Sequence, residues 1–284
     1  MQKILTASLS TEEALTTTTY LKELARQFPG LVVGIQSLFG RCCLVSAFDL
    51  SLDALAAEAQ ELGTQVLSHP ESDKLGLDPL LLIEVCSMLQ GAGKSVAALD
   101  ELLRRMASSL GAQSAETQQV GRVRVIAAKL AASGFAIRAA GKSREISRLV
   151  DSPDRWFGCS LAQLSEIACH LAADGEPLDE TSTRILSLLA LAELRNYRVD
   201  LGCTLVRTVF ELGEPCVESS EALNFIALQR RRDGRYGFPN QFATGTTTDG
   251  DPHLSVFLPL TVNVAWLFRI QAEHHQRRLA AVTV

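Results

Sequence analysis

The sequence predicts an all-α protein, on three observations. Period-two alternation of β-branched residues is almost absent, so essentially no sheet is expected. Roughly a dozen segments carry helical periodicity and are separated by Gly, Pro and Asp breakers. The segments also alternate in character. Residues 31–48, 78–90, 160–173 and 256–270 are apolar nearly all round, whereas 51–67, 94–110, 179–197 and 219–231 keep a polar stripe. A helix apolar on every side must be surrounded, and one with a polar stripe faces water. An inner ring wrapped by an outer ring satisfies that alternation. So does a helical solenoid, although no repeat of fixed length appears.

Taken in order, residues 11–27 form the first helix, with Ser10 at the N-cap and Glu13 three positions in, a capping box. Pro29-Gly30 ends it, and the apolar helix 31–48 follows. Residues 51–67 are amphipathic: Leu52, Leu55, Ala59, Leu62 and Val66 share a face that excludes Glu58 and Glu61. Residues 69–73 are a loop. Asp78 at the N-cap and Pro79 at the first helical position open the next apolar helix, which Gly91-Ala92-Gly93 breaks. Residues 94–110 turn Val96, Leu99, Leu102, Leu103 and Met106 inward, and 115–132 form a further helix. A Lys/Arg/Ser stretch over 141–148 leads to Ser152-Pro153-Asp154. Trp156-Phe157-Gly158 precedes helix 160–173, Asp179 caps 180–197, and 201–212 ends at Gly213-Glu214-Pro215. The last helix covers about 257–278.

The chain has 284 residues, 47% hydrophobic and 21% charged, enough for a sizeable core. It is read as one domain over 1–284. The net charge of −5 lacks the concentrated positive surface that nucleic acid needs. Arg230-Arg231-Arg232 with Arg235 is the local exception, and reads as cations at a helix C-terminus. The most apolar window, 31–48, is interrupted by Gln36 and Arg41, so no membrane span is expected. Met1-Gln2-Lys3 leads into a polar segment rather than a secretory signal. Seven cysteines without a Cys-x-x-Cys pair read as reduced, mostly buried thiols, and the expected location is cytoplasmic.

Residues 221–268 carry a resemblance. Phe225-Ile226-x-x-Gln229-x-x-x-x-Gly234-x-Tyr236 resembles, over about one repeat, the motif of the α/α-toroid proteins. These include squalene-hopene and terpene cyclases and protein prenyltransferase β subunits. Asp233-Gly234-Arg235-Tyr236-Gly237-Phe238 supplies the turn, and Tyr236 stands where those repeats more often carry Trp. Weaker echoes lie at 76–79 and 156–158. The resemblance implies an (α/α)6 barrel of about twelve helices, with a cavity at the inner-helix N-termini.

The acid motifs of those cyclases, Asp-x-Asp-Asp and Asp-Asp-x-x-Asp, are absent from the sequence. The nearest acidic group is Asp249-Gly250-Asp251-Pro252-His253, before the last helix. Its carboxylates and imidazole could do acid/base work or bind a divalent ion. Equally, Asp251 could be an N-cap and His253 solvated. Glu166 and His170 sit at i, i+4 and can touch. They form either a buried candidate site or a structural pair. Trp156, Phe157, Tyr236, Phe238, Phe257 and Trp266 fall at or on the expected inner helices, where they would shape a cavity or simply fill the core. Gly91-Ala92-Gly93-Lys94-Ser95 lacks the first glycine and the preceding strand of a phosphate loop.

The resulting expectation is a terpene-cyclase-like or lyase-like enzyme of natural-product metabolism. Asp249, Asp251 and His253 would work with Glu166 and His170 on a largely apolar small molecule, without a cofactor. The alternative is an α/α-toroid binding or assembly protein without catalysis. The chain could also pair as a homodimer.

Overall fold

The computed structural model describes residues 9–48, 50–70, 75–112, 120–135, 137, 144–237 and 253–282. Among them are twelve α-helices and no strand, so the fold is all-α. They are α1 (Thr11–Gln27), α2 (Leu31–Ala47), α3 (Asp53–Ser68), α4 (Pro79–Gly91), α5 (Ala97–Ala112), α6 (Val120–Ala132), α7 (Arg144–Val150), α8 (Leu161–Asp174), α9 (Glu180–Arg195), α10 (Val199–Leu212), α11 (Val217–Ala227) and α12 (Leu258–Val282). A 3-10 turn covers Pro153–Gly158 and a π turn His253–Phe257. No described helix is long and apolar enough to cross a membrane. The helices fall into two compact units, residues 8–106 with 229–284, and residues 107–228.

In the first of these, α2 packs against α1, α3, α4 and α12. Every residue from Ser37 to Leu44 is buried, as the apolar-all-round sequence requires. Full burial of side chains such as Leu38, Phe39 and Leu44 contributes about 1.5–3 kcal/mol each. The buried Ser37 hydroxyl donates to the Leu21 carbonyl at 2.7 Å. Caps fix the helix starts. Ser10 Oγ accepts the Glu13 N–H at 3.2 Å while the Glu13 carboxylate accepts the Ser10 N–H at 2.8 Å. Asp78 Oδ1 accepts the Leu80 N–H at 3.0 Å, with Pro79 at the first helical position.

Two charged pairs enter this core. The Arg41 guanidinium meets both oxygens of Glu58. Arg269 on α12 donates to Glu84 on α4 at 2.7 Å and to Glu273 at 2.6 Å, with Arg269 and Glu84 both buried. A buried pair costs desolvation that its attraction only roughly offsets, yet losing one partner strands the other. Glu84→Leu alone should therefore cost roughly 3–5 kcal/mol. The double variant Glu84→Leu/Arg269→Met should recover most of that loss in urea titration. A double variant no more stable than the single one would refute this account.

In the unit of residues 107–228, α6 packs on α8, α8 on α10, and α9 on both α10 and α11. Asp179 Oδ1 accepts the Ser182 N–H at 2.6 Å and starts α9. Ser160 and Gln163 form a capping box for α8, and Gly175 ends it in the left-handed conformation. Helix α8 differs from expectation. It is one-sided, with Leu161, Ala162 and Ser165 exposed, rather than apolar all round. Helix α7 falls in the Lys/Arg/Ser stretch that the sequence presented as a connection. The Trp156 indole N–H donates to its Leu149 carbonyl at 2.7 Å.

Residues 229–237, in the first unit, fold back as a clasp. Arg230 and Tyr236 pair across an isolated antiparallel bridge, and the Gly234 N–H donates to the Arg231 carbonyl. The Tyr236 N–H donates to Thr261 Oγ1 on α12 at 3.1 Å, and Arg230 donates to the Glu13 carbonyl on α1 at 3.1 Å. Gly234, at φ +91°, lies on the α1 backbone, where a Cβ would come within 2.7 Å of Thr16 and Thr17. Both the left-handed backbone and the contact demand glycine. Gly234→Ala should destabilise by roughly 2–4 kcal/mol, from strain plus overpacking. Gly91→Ala, at a position with open space around it, is the control and should change stability by less than about 1 kcal/mol. Equal effects in chemical denaturation would reject the clasp.

Candidate functional site

Asp249, Asp251 and Phe238 lie outside the described residues, and of His253 only the backbone is described, as the first residue of the π turn before α12. The remaining candidates are placed. Glu166 and His170 lie in the unit of residues 107–228, one helical turn apart on α8, with His170 Nε2 at 3.8 Å from Glu166 Oε2. That separation is longer than a hydrogen bond. The same Oε2 accepts the Gly121 N–H at 2.8 Å. Gly121 is the second residue of α6, so Glu166 caps the start of a neighbouring helix, where a carboxylate is favoured.

Gly121 makes this approach feasible. A Cβ there would lie 2.7 Å from Glu166 Oε2 and 2.9 Å from Cys169 Cβ. Burial, reinforced by Glu166, pushes the Cys169 thiol up to about 11, so it remains protonated at pH 7. Burial likewise pushes Cys42, Cys86 and Cys203 up to about 12. None of these thiols is primed as a nucleophile. Trp156 is buried under its bond to Leu149, and Phe157 is 58% exposed.

The other aromatics belong to the clasp and the core of the first unit. Trp266 meets Phe39 edge-to-face, with ring centroids 5.2 Å apart. Phe257 lies against Gly237, and the Arg235 guanidinium sits 4.4 Å from its ring centre. Tyr236 packs on Phe268 at 6.4 Å. Burial pushes the Tyr236 phenol up, and its Oη is buried with no hydrogen-bond partner among the described residues.

The same unit also holds a groove of about 1070 Å³ over the start of α2. Lys22, Glu23 and Arg26 of α1 form one wall, with Arg26 paired to Glu23 at 2.6 Å, Glu58 and Glu61 of α3 form the other, and Leu31 and Leu62 contribute apolar surface. The buried Arg41, held by Glu58, lies at its base. The sequence offered one signal for it: an arginine inside an apolar-all-round helix requires a carboxylate from a neighbouring helix. Among the described residues no three His, Cys, Asp or Glu side chains group as a metal site. The chain's class is all-α. Compared with family profiles, curated proteins and solved structures, it matches none.

The unpaired phenol yields a test. Tyr236→Phe removes a buried hydroxyl that makes no bond, so stability at pH 7 should hold within about 1 kcal/mol or rise. The tyrosine's folded pKa is raised, so the folded state keeps the proton longer, and the associated stability is lost as pH climbs above the unfolded value of about 10. The variant should flatten that alkaline decline in denaturation midpoints. A large loss at pH 7 would show that the hydroxyl has a polar role.

Proposed function

We propose that this chain is a non-catalytic helical binding or assembly protein. The observation that carries the reading is the place of Glu166: its carboxylate oxygen accepts the Gly121 N–H at 2.8 Å and serves as the cap of α6. A general base needs a free lone pair aimed at substrate. Here the acid beside a histidine gives one of its two carboxylate oxygens to a helix end. The protonated thiols and the core positions of Trp156, Tyr236, Phe257 and Trp266 support the same reading. The α/α-toroid arrangement remains part of the proposal. The clasp at 229–237, where Asp233 and Gly234 turn the chain back towards α12, supports it.

A second reading, a cyclase-like or lyase-like enzyme acting on an apolar small molecule, draws on one feature. The chain enters α12 through a π turn at His253–Phe257, directly after Asp249 and Asp251, and π turns recur at functional sites. Comparison of extracts from cells expressing the wild type, Glu166→Gln and Asp251→Ala/His253→Ala separates the two. The binding reading expects identical small-molecule profiles. Glu166→Gln should also lower stability by about 1 kcal/mol through the weakened cap. A product made by the wild type and lost in a folded variant would overturn it.

A further inference from the structure

We draw no further inference here: the strongest candidate, the groove of about 1070 Å³ between α1 and α3 over the start of α2, balances Lys22, Arg26 and Arg41 against Glu23, Glu58 and Glu61 of its own lining, and nothing in the structure shows what covers it.

Discussion

The unit of residues 8–106 and 229–284 depends on how closely α2 can be approached. Gly40 is the tightest point: a Cβ there would lie 2.8 Å from a Leu21 methyl of α1 and 3.5 Å from a Val262 methyl of α12. On another face Gly34 receives Leu62 of α3, at 3.0 Å from the same virtual atom. Two residues without side chains thus bring three helices onto one. Close packing at interior density makes every neighbour's position follow from those contacts. It also explains why, among the described residues, the charges buried in this core are paired, Arg41 with Glu58 and Arg269 with Glu84. At this depth an unpaired ion would lose far more hydration than the apolar neighbours return.

The helical class and most helix starts were legible because they rest on local physics. Ser10 with Glu13, Asp78 with Pro79 and Asp179 cap as their spacing implies. The all-round burial of α2 followed from its composition. Elsewhere the local signal was diluted or overridden. Helix α7 hides its apolar residues Ile146, Leu149 and Val150 among Arg and Ser. Helix α8 has apolar residues on the side that faces solvent, so composition alone overstated its burial. At the end of α9, Tyr197 adopts φ +60°, a left-handed conformation that few non-glycine residues take. Nothing in its own sequence distinguishes it from a continuing helical residue.

The site candidates divide along the same line. An i, i+4 spacing correctly put Glu166 and His170 on one turn. It could not say what else the carboxylate would meet, because Gly121 is 45 residues away in sequence. A half-buried acid that accepts a backbone N–H at a helix start looks identical, in sequence, to one held ready for proton transfer. What distinguishes them is the direction of the lone pairs, and that is set by tertiary packing. The groove was hidden for the opposite reason. Two of its parts were each noted as ordinary: a polar stripe on α3 and an arginine interrupting α2.

Averages conceal such features. The net charge of −5 says nothing of a groove in which Lys22, Arg26 and Arg41 are balanced by Glu23, Glu58 and Glu61. The overall composition of α12 likewise blends an apolar half, inserted against α2, with a basic half whose residues 275–281 are exposed. Apolar burial decides where the first half goes, and is strong enough to anchor the whole helix. The second half lies at the surface, and its continuation as helix places Arg278 and Leu279 at a fixed angle to each other.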